Sequence, residues 1–416
     1  MTAAPTVSNL NYRPRIQLVN AMAWAQERLG FDLGDFDPDR IIAIAQRETG
    51  LTDLGDLTFR PAFDRIASEL QANHDLTPLA RVILRQTFLH AVRERLFLRR
   101  WIDEHPAIFR TPVERPIFVL GFPRTGTTVL QNLLSLDPRR RGVEFWELSQ
   151  PAPTLEDRDL DRQHRQRRTG WVLQAAYQLA PEMGEVHFID VTTVEECWPL
   201  FVPSFAVMNW DLQTGMAGWG DWLMSEWDMA GPYREYRERL QVICERHPAE
   251  QLVLKCPEHL FFVDALLEVF PDACIVQTHR DPYATIGSYC SLISMQWRNL
   301  YGHIDRARIG EHMERRLHDG VSRAMAAREH ADPARFFDVR FESLVEDPAA
   351  VVDAIAAHFD LDLEPGHAQA VARYLANERS DARGRHRYDP ADYGLTREAV
   401  YARYTDYIDR FGIQTR

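Results

Sequence analysis

The sequence predicts an α/β protein built on a central, mostly parallel sheet with helices on both faces, preceded by a helical N-terminal region. Three observations carry this. Short apolar runs alternate with helical patterns from residue 116 onward. A glycine-containing loop sits between the first such run and the helix that follows it. Upstream, residues 1–112 show helical spacing and no strand signature. Alternation of this kind is the mark of a parallel sheet covered on both sides.

The N-terminal region comes first. Pro78 to Leu98 places apolar residues at helical intervals, and Thr77 before Pro78 is a suitable N-cap and first-turn pair. This stretch holds no chemistry and reads as a packing or oligomerisation region. Residues 113–416 form the α/β domain. Pro116-Ile-Phe-Val-Leu-Gly121 is its first strand, bounded by proline and glycine, and Thr127–Leu136 has helical spacing. Further strands are expected at Leu252–Lys255, Cys274–Thr278 and Phe336–Val339. Helices are expected over Glu258–Phe270, Tyr283–Met295, Ile309–Glu329, Ala349–Phe359 and Thr396–Phe411. An aromatic-rich helical insertion occupies about 185–247. Five of the ten tryptophans fall within it, at 198, 210, 219, 222 and 227. They fit either a packed subdomain or the wall of an apolar pocket.

Composition narrows the function. The net charge of −13 gives no support to a nucleic-acid-binding face. Five cysteines without a Cys-x-x-Cys pair argue against a disulfide framework or structural zinc, and predict reduced, buried thiols. The N-terminal segment lacks a signal-peptide core, and no run of 18 apolar residues occurs, so a soluble cytoplasmic protein is expected. Of 48 basic side chains 47 are arginine; the single lysine is Lys255. A compact ammonium kept at one position in so arginine-rich a chain points to a role a guanidinium cannot fill.

Gly121-x4-Gly126-Thr127-Thr128 is close to the P-loop pattern, in the strand–loop–helix setting a phosphate cradle requires, so the fold is expected to be of the three-layer P-loop type. The lysine position holds Thr127, which argues against a magnesium-dependent kinase. The loop's cation is Arg124, and Thr125, Thr127 and Thr128 add hydroxyls. This suits a ligand with two adjacent anionic centres and no metal.

Here the sequence resembles the sulfotransferase superfamily, whose 5′-phosphosulfate loop carries Pro-Lys/Arg-x-Gly-Thr-Thr, as Pro123–Thr128 do. His279-Arg280-Asp281-Pro282 through Ser288 is a second match. By that resemblance Arg280 and Ser288 hold the 3′-phosphate of 3′-phosphoadenosine 5′-phosphosulfate (PAPS), as an arginine fork and a hydroxyl can. The basic run Arg383-Gly384-Arg385 matches the late segment that closes the nucleotide site. Leu254-Lys255-Cys-Pro-Glu-His259 resembles the bacterial branch with an N-terminal helical region. There the resemblance gives Lys255 contact with the transferring sulfuryl group, shared with Arg124.

Sulfuryl transfer to a hydroxyl also needs a proton acceptor. The cytosolic branch has a histidine two residues after the lysine, where this chain has Pro257. His259, Glu147 and Glu144 are the candidates, with His187 and Glu196 as further acceptor-binding groups. The resemblance implies a PAPS-dependent sulfotransferase acting on a small, partly apolar hydroxyl acceptor, with an amine as the less favoured alternative. A P-loop kinase and a non-enzymatic helical scaffold are the competing readings. Magnesium-independent nucleotide binding separates them.

Overall fold

The structure, a computed structural model, describes residues 34–179, 189–380 and 388–415. Its centre is a five-stranded sheet in the order β2-β3-β1-β4-β5. The strands are β1 (Ile117–Gly121), β2 (Arg140–Arg141), β3 (Gln251–Lys255), β4 (Cys274–His279) and β5 (Phe336–Arg340). Every pairing is parallel.

The apolar runs explain the layers. All five residues of β1 are buried. Phe118 and Leu120 enter one core cluster and Ile117 and Val119 the other, because successive side chains leave a strand on opposite faces. Under Ile117 and Val119 lie Leu130, Leu133 and Leu134 of the helix Thr127–Leu134, with Val352 and Ile355 of Pro348–His358. The other face carries Ala230–Arg246, Val263–Val269 and Arg306–Glu329. Both faces are covered, so β1 reads as a continuous apolar run.

The N-terminal helices Pro38–Thr49, Arg60–Ala72 and Pro78–Glu104 do not stand apart. Thr77 Oγ1 accepts from Ala80 N–H at 3.2 Å and starts the last of them. Phe63 stacks on Phe205 at 3.9 Å, and Phe88 meets Trp210 edge-on at 5.7 Å. Composition changes at residue 112, but packing runs through it: one core extends from Phe36 to Tyr407. That packing also resolves most of the aromatic segment. Trp210 and Trp219 are buried in this core, and Trp222 and Trp227 lie against it.

Two expectations need correction and one strand was missed. Glu258–Phe270 is a short 3-10 turn (Pro257–Phe261) followed by the helix Val263–Val269, broken at Phe262 where φ −139° leaves the helical region. Thr396–Phe411 divides at Tyr404, whose buried hydroxyl donates to Glu314 O at 2.7 Å. The strand β2 went unread because two arginines carry no apolar pattern. All five cysteines are buried and free. No described helix is long and apolar enough to cross a membrane.

Candidate active site

Chain order reverses across the sheet at β1, and in such sheets ligands lie beyond the carboxyl ends of the strands there. Three of the expected residues arrive at those ends: the loop after β1 brings Arg124, β3 ends on Lys255, and Arg280 follows β4.

The loop is fixed from below. Thr125, fully buried, donates its hydroxyl to Phe122 O at 2.6 Å and shares a 2.6 Å hydrogen bond with Thr278 Oγ1. Its hydroxyl is therefore structural and not the ligand donor expected; only its backbone N–H is left for a phosphate. Arg124 (φ 68°) and Gly126 (φ 87°) both take positive φ, the turn geometry of anion-binding loops. No side chain caps the helix Thr127–Leu134, so its first N–H groups are open to an anion.

Arg124, Arg280 and Ser288 meet above this loop. Arg124 Nε donates to Ser288 Oγ at 3.3 Å, and Arg280 Nη1 donates to Arg124 O at 2.7 Å. The Arg280 guanidinium also lies 4.0 Å over the Phe341 ring. Two cavities adjoin at Arg280 and Phe341. One, about 650 Å³, runs from Arg124, Gly126, Thr127 and Thr128 to an apolar wall that includes Trp198, Leu212, Tyr289 and Leu292. The other, about 540 Å³, is lined by Tyr283, Glu342, Tyr388 and Arg397 among others. Trp198 is the tryptophan of the aromatic segment that lines the larger cavity.

Lys255 is fully buried, and its Nζ lies 3.1 Å from Glu196 Oε1. Burial alone would lower the ammonium pKa, but Glu196 and Glu195 outweigh it and hold the pKa above the ordinary lysine value. Glu196 and Glu195 both line the larger cavity, so the lysine reaches it through its carboxylate partner.

The other base candidates are already occupied. His259 is fully buried; Nδ1 is 2.7 Å from Tyr233 OH and Nε2 is 3.2 Å from Cys197 Sγ. It braces the floor of the core beside Phe118 and has no ring nitrogen facing the cavity. Glu147 is held by both terminal nitrogens of Arg141 at 2.8 and 2.7 Å, and its Oε2 accepts from Glu144 N–H. Glu144 closes the other half of that capping box and accepts from Trp146 Nε1 at 2.6 Å. Burial raises the Glu144 pKa, yet neither carboxylate lines the cavity. These three placements correct the expected base. His187, Arg383 and Arg385 lie outside the described residues.

Glu258 went unrecognised in the sequence. It lines the larger cavity and accepts from Met208 N–H at 3.1 Å. Burial, reinforced by Glu196, pushes its pKa well above the usual carboxyl range. Its place after Lys-Cys-Pro was the available signal, but helical spacing assigned it no direction.

A family model described as "Sulfotransferase family" matches residues 116–365. The omega-hydroxy-beta-dihydromenaquinone-9 sulfotransferase Stf3 of Mycobacterium tuberculosis (strain CDC 1551 / Oshkosh) is 26% identical over 356 residues, covering 78% of this chain and 82% of its own. The crystal structure of sulfotransferase STF1 from Mycobacterium tuberculosis H37Rv superposes with a TM-score of 0.78 at 30% identity, over 88% of this chain and 98% of that one. For STF9 from Mycobacterium avium the values are 0.79 and 30%, over 91% and 97%.

Proposed function

This chain belongs to the sulfotransferase family, and from that premise we propose that it moves the sulfuryl group of PAPS, without a metal, onto the hydroxyl of an apolar acceptor, with Glu196 taking the proton. The observation that carries this reading is the convergence of Arg124, Arg280 and the Lys255–Glu196 pair on one cavity at the ends of β1, β4 and β3.

The nucleotide spans the two cavities. Its 5′-end sits against the loop Arg124–Thr128 and the open helix terminus, and Arg280 with Ser288 takes the 3′-phosphate. Its base lies in the smaller cavity among Phe341, Tyr283 and Tyr388. A cation already stands in the loop as Arg124. The neighbouring carboxylate Asp281 is spent capping the next helix through Tyr283 N and Ala284 N. Both facts favour binding without magnesium.

The acceptor oxygen attacks sulfur as the bond from sulfur to the 5′-phosphate oxygen breaks. Arg124, in the cavity wall, stabilises the charge gathering on that leaving oxygen, and the buried Lys255 ammonium adds to it from behind Glu196. The acceptor proton passes to Glu196, whose side chain, 32% exposed, is the most open of the three carboxylates lining the larger cavity. The apolar wall suits a hydrophobic acceptor. An omega-hydroxylated menaquinone, the molecule in the name of the Stf3 relative, is a hydroxyl at the end of a long hydrocarbon tail, and we assign this chain the same class.

Calorimetric titration with 3′-phosphoadenosine 5′-phosphate (PAP), with and without magnesium and alongside ATP, tests the nucleotide site. Binding that ignores magnesium, excludes ATP and is lost in Arg280→Ala is the expected result. Preference for ATP with magnesium would replace this reading with a kinase.

A further inference from the structure

Four of the eight large apolar side chains exposed among the described residues crowd into one short stretch: Leu155, Leu160, Trp171 and Val172. Three of them belong to the helix Arg158–Leu179. Leu160 is 57% exposed and Trp171 70%. They are eleven residues apart, about three turns, and so share one stripe, with exposed Arg167 between them. The opposite face starts with buried Asp161, Arg165 and Thr169 and continues into Leu173, Ala176 and Tyr177, which line the larger cavity. One helix thus walls the acceptor cavity on its inner side and shows tryptophan, leucine and arginine to the outside.

Its charge runs against the rest of the molecule. The helix holds five arginines against two aspartates, in a chain whose net charge is −13; Arg158 and Arg162 pair with Glu245 and Asp159, and Arg165 is buried on Asp161, so its outward positive charge rests on Arg167 and Arg168. Tryptophan and arginine beside exposed aliphatic groups are what an interfacial helix presents to a bilayer with anionic headgroups.

We propose that the outer stripe of Arg158–Leu179 seats on the surface of an anionic lipid bilayer, so that a lipid-borne acceptor enters the cavity this helix walls. The inference rests on the apolar-acceptor reading above.

Co-sedimentation of the full chain with vesicles of phosphatidylglycerol and phosphatidylcholine, against phosphatidylcholine alone, tests it. The phosphatidylglycerol vesicles should bind the protein, and Leu160→Ser with Trp171→Ser should weaken that binding by roughly fivefold or more. Phe109→Ser, a change at an exposed apolar residue elsewhere, should leave it unchanged, and all variants should keep PAP binding. Absence of vesicle binding overturns the proposal, as does binding that the double variant retains. A stable dimer dissolved by the double variant overturns it too, by giving the face to a second copy. Loss of PAP binding in the unaltered protein would instead remove the sulfotransferase reading, so the two failures are distinct.

Discussion

Lys255 Nζ stands 3.1 Å from Glu196 Oε1, joining the chain's single lysine to a carboxylate in the cavity wall. The lysine is buried against the end of β3, and Cys197 N–H donates to its carbonyl at 2.9 Å, so the segment bearing Glu196 is tied to the strand end. In the proposed reaction this pair sets a cation for the leaving oxygen beside a base for the acceptor proton.

Lys255→Ala should lower kcat by about 100- to 1000-fold, the loss seen when one donor to a developing charge is removed. PAP affinity, measured by calorimetry, should change only a few-fold, since Arg124, Arg280 and the loop remain. Lys255→Arg should not restore the rate, because the planar guanidinium cannot occupy the site of a compact ammonium. Equal loss of kcat and PAP binding would make the lysine a nucleotide-binding residue only.

Glu196→Gln should reduce kcat by about 100-fold or more, while KM for the nucleotide holds. It should also alter stability in a pH-dependent way. Glu196 helps hold the Lys255 pKa above its ordinary value, so the pair's contribution is complete below the pKa of an unfolded lysine and disappears as pH rises through the raised one. The gap in denaturation midpoint between wild type and Glu196→Gln should be widest near neutrality and close in strong alkali. A gap independent of pH would show that the ion pair is not its source.

His259→Gln checks the reassignment of that histidine. With Tyr233 OH on one ring nitrogen and Cys197 Sγ on the other, its loss should cost about 1–3 kcal/mol of stability and leave kcat per folded molecule within a few-fold. A collapse of kcat at unchanged melting temperature would return His259 to the role of base.

Much of this site was legible in the sequence because its parts are local. Gly121–Thr128 is a contiguous motif between strand and helix, and Lys255 and Arg280 terminate apolar runs that alternation had already identified. The proposed base was not local. Glu147 is neutralised by Arg141 of β2, a two-residue strand with no apolar signature. His259 and Glu258 are neighbours in one 3-10 turn, and only tertiary packing decides that the histidine faces the core and the carboxyl the cavity. Glu196 gains its meaning from a lysine 59 residues away.

Gly121→Ala tests whether the phosphate loop depends on the close approach of β1 and β4. Gly121 holds φ 141°, and a Cβ there would lie 2.4 Å from Thr278 Oγ1 and 2.5 Å from Thr278 O. Thr278 cannot retreat. It pairs with Gly121 in the sheet, and its hydroxyl ties Thr125 to Leu120 O. Backbone strain and overpacking together should cost about 3–5 kcal/mol. A large fall in melting temperature and weaker PAP binding are the expected readouts. Adding Thr278→Ala removes the hydroxyl contact but leaves the carbonyl in the way, so it should not rescue the variant. Full rescue would locate the constraint in the side chain and make the backbone approach of the two strands incidental to the loop.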